Sequence, residues 1–309
     1  MNNDYPHQSV LLNECLDAFK DYNIQIFFDG TVGAGGHAEA ILKEHPEIHS
    51  YIGCDKDQSA LDIASERLKL YEKKFKPHQN SFAEIDYVLK QEKIACIDGC
   101  LFDLGVSSMQ LDRGERGFSI SHQGPLDMRM NQKQMITAEH IVNSYSEKEL
   151  QTIFLKYGEE RFFKKAAKVI VDARKEKPIR TTEELKLILE KALPRKKNIH
   201  PATLVFQALR IVVNSELSDV ELGLDRAIEA LCPGGIIAVI SFHSLEDRIV
   251  KQKFKEKAEG EKCPIYGTKK PGSLEIITKK ALLPTKEEIK LNPRSRSAKL
   301  RIARKRGSK

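Results

Sequence analysis

Three groups of residues have types and spacings suited to chemistry. The first is Phe27-Phe28-Asp29-Gly30-Thr31-Val32-Gly33-Ala34-Gly35-Gly36-His37. Glycines there permit positive φ and let a ligand approach the backbone closely. A helix starting at the end of this run would offer N–H groups to an anion such as a carboxylate. The second is Asp55, nineteen residues after Gly36, where a carboxylate can accept hydrogen bonds from both hydroxyls of a ribose. Together they read as a nucleoside-cofactor site, with a tight structural turn and an Asp cap as the alternative. Gly33-Ala34-Gly35-Gly36-His37-Ala38 also fits the G-x-G-x-x-A pattern used for NAD, so the turn alone does not select the cofactor. The third group is Leu101-Phe102-Asp103-Leu104-Gly105-Val106-Ser107-Ser108, an acid closing an apolar run. The exocyclic amine of cytosine or adenine is a poor nucleophile because its lone pair is delocalised into the ring. A carboxylate accepting its N–H bonds favours a pyramidal nitrogen and returns electron density to it. In-line positioning and exclusion of water complete the protein's task. Asp103 is thus the candidate catalytic residue, with a turn cap as the bland alternative.

These groups need strands that end, and helices that begin, beside them. Residues 24–28, 51–55, 75–79 and 97–103 read as strands. Residues 37–43, a segment N-capped by Asp57 with the stripe Leu61, Ala64, Leu68 and Tyr71, and residues 85–89 read as helices. Such alternation predicts an α/β, Rossmann-like parallel sheet with helices on both faces. From about 114 to 213 no strand is evident. Ser146–Glu149 and Thr181–Glu184 both fit capping boxes before amphipathic helices. Alternation resumes with a helix near 220–231, a turn at Pro233-Gly234-Gly235, a strand at 236–242 and a helix at 245–257. Closing strands follow at 274–278 and 299–304.

Charge divides the chain in the same way. Of 309 residues, 1–112 carry a net −9, 113–213 a net +8, 214–289 a net −1 and 290–309 a net +9. We therefore read a discontinuous cofactor domain, 1–112 with 214–309, and an inserted helical substrate-recognition domain, 113–213. At 40% hydrophobic and 31% charged residues, the chain is not collagen-like, disordered or a disulfide scaffold. The start Met1-Asn2-Asn3-Asp4-Tyr5-Pro6 lacks the basic and apolar regions of a secretion signal, and the run 236–242 is too short to span a bilayer. Six cysteines (15, 54, 96, 100, 232, 263) form no C-x-x-C pair. They read as buried free thiols in a cytoplasmic protein without a zinc site or any other metal.

The motifs resemble those of the RsmH (MraW) family of bacterial S-adenosylmethionine-dependent 16S ribosomal RNA cytosine N4-methyltransferases, over nearly the whole chain. The resemblance is carried by His7–Leu12, Asp29–His37, Gly53–Asp57, Asp103–Asp112, Arg116–Ser119, Gly124–Met130, Phe206–Ile211, Ile240–Arg248 and Asn292–Arg301. It implies S-adenosyl-L-methionine held by Gly35, Gly36, His37, Asp55, Phe82, Asp103 and Gln110, with Phe82 beside the adenine and the last two at the methionine end. It implies 16S ribosomal RNA within the small ribosomal subunit as partner, and a helical insert after the fourth strand. One departure is Leu204 after His200-Pro201-Ala202-Thr203, where the family usually carries Arg, so no RNA contact is carried over there.

Phe118, Phe242 and His243 are candidates to hold the target base by stacking and polar contacts, although Phe242 also suits a core and His243 a cap. Asp127 and Arg129 suit a structural ion pair. Arg294, Arg296 and Arg301, in an acid-free tail, are candidate phosphate contacts, with Leu300 and Ile302 buried between them. Two other classes remain open at this point: an NAD-dependent dehydrogenase, for which no proton-relay motif is evident, and a non-catalytic RNA-binding protein.

Overall fold

The apolar runs on either side of the glycine-rich turn become adjacent strands. The computed structural model describes residues 9–195, 199–260 and 271–307. His7 and Gln8 of the opening motif, Cys263 and Lys309 lie outside these residues. Two compact units emerge, Met1–Gly105 with Leu217–Lys309, and Val106–Glu216. Strand pattern and charge together put the boundaries at 112/113 and 213/214. The structure shifts them outward because Val106 and Leu111 pack on the core of the helical unit and Glu216 pairs with Arg210 at 2.8 Å.

The first unit runs α1 (Leu12–Phe19), β1 (Ile26–Asp29), α2 (Gly36–Glu44), β2 (Ser50–Cys54), α3 (Gln58–Arg67), β3 (Phe75–His78), α4 (Ile85–Gln91) and β4 (Ile97–Asp103). Asp57 caps α3 as its sequence suggests, accepting from the Ser59 N–H at 3.1 Å. The second unit supplies α5 (Ser108–Asp112), α6 (Ala138–Ser144), α7 (Glu147–Lys156), α8 (Phe163–Glu176), α9 (Thr182–Ala192) and α10 (Thr203–Asn214). After α11 (Glu216–Ala230) the first unit continues with β5 (Leu231–Ser241), α12 (Ser244–Ala258), β6 (Leu274–Ile276), α13 (Lys286–Leu291) and β7 (Lys299–Lys305).

The seven strands form one sheet ordered β3-β2-β1-β4-β5-β7-β6. It is mixed, not wholly parallel. β1 to β5 are parallel, whereas β7 is antiparallel to both β5 and β6. Strand–helix alternation predicts direction only across helical crossovers. β7 instead enters from the turn after α13 and slots between β5 and β6. Pro233-Gly234-Gly235, read as a turn, lies inside β5 as an irregularity: the register against β4 jumps from Ile97↔Leu231 to Gly99↔Ile236.

Adjacent residues of β1 serve opposite faces, as strand geometry dictates. Phe27 stacks on Tyr51 at 5.0 Å and meets Phe19 edge-on, under α1 and α2. Phe28 faces the other core, with Phe102, Val220, Leu224 and Phe254. Covering both faces explains why the central strands read as near-continuous apolar runs.

The cysteine expectation needs correction. Cys15, Cys54 and Cys100 are free and buried, but Cys96 and Cys232 form a disulfide. Parallel pairing of β4 with β5 sets Ile97 opposite Leu231, which brings their neighbours to a Cα–Cα distance of 5.1 Å. A separation of 136 residues hides that proximity from the sequence. No helix among the described residues is long and apolar enough to cross a membrane.

The helical unit closes on its own core, including Leu150, Phe154, Ile170, Leu185, Phe206 and Leu209. Both expected capping boxes form, at Ser146/Glu149 and Thr181/Glu184. Asn214 ties the 128–130 loop to α10. Its Oδ1 accepts from the Met130 N–H at 2.7 Å, and its Nδ2 donates to the Met128 carbonyl at 2.8 Å.

Candidate functional site

The carboxyl ends of β1, β2 and β4 lie side by side, and the turns leaving them carry the sequence's three groups. Gly33 and Gly35 both take positive φ, +52° and +80°, which explains glycine there. The chain thereby turns into α2, whose first N–H groups have no partner within the helix and suit a carboxylate. A methyl group on Gly36 would strike Ser9 Oγ, so the segment before α1 lies against the turn. His37 is buried, with Nε2 3.0 Å from the Val10 carbonyl.

Asp55 follows β2 and braces the turn. Its Oδ2 accepts from the Gly33 N–H at 3.0 Å and its Oδ1 from the Asp57 N–H at 2.8 Å. Burial pushes its pKa up to about 6, against the pull of those two N–H groups. Each carboxylate oxygen has a second lone pair for a ribose hydroxyl.

Asp103 ends β4. Its N–H donates to Thr31 Oγ1 at 2.5 Å, fixing it to the glycine turn. Its Oδ2 is 3.8 Å from His37 Nδ1, while Oδ1 is buried and makes no hydrogen bond. Burial, reinforced by the carboxylates of Asp29 and Glu246, pushes its pKa well above the ordinary carboxylate range. An unsatisfied buried oxygen at a strand's carboxyl end is an acceptor awaiting a donor. This geometry fits a nucleoside cofactor whose amino-acid end meets the α2 N-terminus.

Two participants were not singled out by sequence reasoning. Thr31 lies within the glycine turn, and its hydroxyl receives the Asp103 N–H. Asp29, 1% exposed, accepts from the Tyr51 hydroxyl at 2.8 Å and the Thr31 N–H at 3.1 Å. Burial raises its pKa to about 7 despite those bonds. The signal was present: a lone acid at the end of the apolar run Ile26-Phe27-Phe28 must find buried donors or protonate.

The remaining candidates divide. Phe82, after β3, is packed inward, its ring 4.7 Å from that of Phe102, and a methyl group on Gly223 would fall 2.5 Å from it. Phe242 is half-buried against the core at the end of β5. His243 caps α12 through Nδ1, 3.4 Å from the Glu246 N–H, and the Glu246 carboxylate accepts from the Phe242 and His243 N–H groups at 2.8 and 3.2 Å. The capping alternative therefore describes His243. In the helical unit, Gln110 is buried and completes a capping box with Ser107 at the start of α5.

Phe118 does not offer a stacking face. It is buried in the helical core with the Arg116 guanidinium 5.9 Å from its ring centre, because Gly117, at φ +73°, folds the chain back and turns the ring inward. Asp127 and Arg129 form a two-pronged ion pair, both contacts 2.7 Å, and Arg129 also donates to the Gln132 and Gln134 carbonyls. Arg301 is likewise not a free phosphate contact. It is 11% exposed and donates to Asp247 Oδ1 at 2.7 Å, with Lys299 on the other oxygen at 3.1 Å. Strand alternation puts Leu300 and Ile302 inside as expected, but an acid on α12 lies across from the intervening cations. Arg294 and Arg296 are exposed in the turn Pro293–Ser297.

A sheet of this order, with a glycine turn after its first strand, an acid after its second and another ending its fourth, defines a class I S-adenosylmethionine-dependent methyltransferase. The MraW methylase family model matches residues 4–306, and the chain belongs to that family. It is similar to proteins named "Ribosomal RNA small subunit methyltransferase H". The relative from Protochlamydia amoebophila is 50% identical over 309 residues, covering 97% of this chain and 98% of its own. Those from Halothermothrix orenii and Clostridium botulinum (strain Loch Maree) are each 46% identical, covering 96% and 98% of this chain and 97% and 99% of their own.

Proposed function

We propose that this methyltransferase transfers a methyl group from S-adenosylmethionine to the exocyclic N4 amine of a cytidine in 16S ribosomal RNA. Its substrate is the RNA of the small ribosomal subunit, and its working compartment is the cytoplasm. The names of the full-length relatives support the RNA substrate. The observation that carries the chemistry is Asp103, whose Oδ1 is buried without a hydrogen bond at the end of β4.

Bound S-adenosylmethionine supplies an electrophilic methyl on a sulfonium. The residues of the chain do the rest. Gly33 to His37 and the α2 N-terminus hold the carboxylate end, and Asp55 holds the ribose. Asp103 accepts an N–H bond from the cytosine amine, which directs the nitrogen lone pair at the methyl group. Asp103 would take one amine proton as the nitrogen accepts the methyl group, which bound S-adenosylmethionine would give up from its sulfonium, leaving a neutral thioether. The protonated Asp103 would then be neutral, so that no net charge is left buried at the acid. Thr31, by fixing the Asp103 backbone, positions the carboxyl; closeness of this kind is worth orders of magnitude in rate.

Transfer of tritiated methyl groups to small subunits lacking the modification tests this reading. Incorporation by the wild-type protein, and its loss in Asp103→Ala with cofactor still bound by calorimetry, is the expected result. No incorporation by the wild type contradicts the function. Near-normal turnover of the variant contradicts the role of Asp103. Calorimetric binding of NAD in place of S-adenosylmethionine would restore the dehydrogenase reading.

A further inference from the structure

From the cationic face of α8, we infer that this helix is a docking surface for an RNA strand, resting on the reading that RNA is the substrate. Lys164, Lys165, Lys168 and Lys175 follow one another at spacings that put them on one side of the helix, and Arg161 stands just before its start. All five are exposed. The opposite side, through Ala166, Ala167 and Ile170, is buried in the helical core, so the orientation of the charged side is fixed. Among the described residues no carboxylate lies within ion-pair distance of Arg161, Lys164, Lys165 or Lys168, and Asp172 partners Lys175 at 2.9 Å.

The contrast with the rest of the molecule is physical. Lys299, Arg301 and Arg304 of β7 pair with Asp247 and Glu275, whereas Lys164, Lys165 and Lys168 of α8 make no ion pair among the described residues. Phe162, the residue that precedes the first turn of the same helix, is 42% exposed. A folded chain gains nothing from an exposed phenyl ring at the start of a helix whose cations are mostly without ion pairs, but single-stranded RNA is bound by phosphate contacts combined with an aromatic stacking face. Charge complementarity therefore selects a polyanion as occupant, and the exposed ring selects RNA over an anionic lipid surface.

The test is the triple variant Lys164→Glu/Lys165→Glu/Lys168→Glu, titrated against unmodified small ribosomal subunits over a range of salt concentrations. Glutamate has nearly the helix propensity of lysine, so the substitutions preserve α8, and far-ultraviolet circular dichroism checks this. Affinity should fall at least tenfold, and the slope of log affinity against log salt should become shallower by about 2 to 3, following the number of lost phosphate contacts. Cofactor affinity should stay within twofold. Phe162→Ala should weaken binding several-fold with no change of slope. Unchanged affinity and slope in the triple variant overturn the inference, as does loss of binding to phosphatidylserine vesicles without loss on RNA. Wild-type methyl incorporation, measured alongside, separates the claims: transfer with unaltered binding by the triple variant overturns this surface alone.

Discussion

Asp29 is buried whole and Asp103 has one carboxylate oxygen buried, and pH should reveal both. Asp29 has a pKa of about 7 in the folded protein against an ordinary 3.8. Between these values the folded state holds a proton that the unfolded chain has released. Stability from this group is complete below about pH 4 and is lost as pH rises through 7, by on the order of 4 kcal/mol at about 1.4 kcal/mol per unit. Asp29→Asn keeps both partners, with its carbonyl toward the Thr31 N–H and its amide toward the Tyr51 oxygen. Its unfolding midpoint should vary less than that of the wild type between pH 4 and 7; a curve parallel to the wild type would refute the assignment. Asp103, raised well above the carboxylate range, must ionise to take the amine proton. The kcat/KM for RNA should therefore rise with pH through a midpoint above the usual carboxylate values, and Asp103→Asn should lose both the rate and that limb. At this scale the sequence was legible where an acid ends a strand beside glycines. It was silent on Thr31, because a hydroxyl that receives a backbone N–H from a residue 72 positions away leaves no local pattern.

At the scale of elements, the strands of the first unit follow directly from their apolar runs, and the capping boxes of α7 and α9 from four-residue signatures. The orientation of β7 did not follow, since no helical crossover precedes it. That single placement changes how the basic tail behaves. Lys299, Arg301 and Arg304 are tied to Asp247 and Glu275, and Lys305 donates to the Glu229 and Leu231 carbonyls at 2.7 Å. Arg301 and Lys299 hold the half-buried Asp247 below the ordinary carboxylate pKa, overcoming its burial. Arg301→Ala should thus cost stability, about 1–3 kcal/mol for a charge-assisted bond lost beside a shielded acid, while leaving the salt dependence of RNA binding as it was. A shallower slope would return Arg301 to the list of phosphate contacts. Gly30 tests the glycine turn independently. A Cβ there collides with the Phe102 ring and lies 2.6 Å from Phe82 Cβ. Gly30→Ala should destabilise by about 1–3 kcal/mol through overpacking and weaken cofactor binding, since the clash displaces the strand end that carries the turn; calorimetry and denaturant titration read the two effects.

Across the whole molecule, the net charge of +7 resolves into units of unequal character. Residues 106–216 carry +6, and the remainder +1. The sequence exposed that imbalance but not which charges are paired, as with Lys299 and Arg301 of the tail on Asp247, because counting charges cannot show it. It also could not show the Cys96–Cys232 bond, which closes the loop of chain containing the helical unit. Opening it with dithiothreitol should lower the stability of the unit holding β4 and β5 by about 2–4 kcal/mol, with the Cys96→Ser variant insensitive to reductant; equal midpoints for oxidised and reduced wild type would deny the bond a structural role. The central claim is the chemical fate of one base. Small subunits lacking the modification, incubated with the protein and S-adenosylmethionine and then digested to nucleosides, should yield N4-methylcytidine by mass spectrometry. Recovery of 5-methylcytidine, or of a methylated adenosine, would contradict the account, because Asp103 would then not be addressing the cytosine amine.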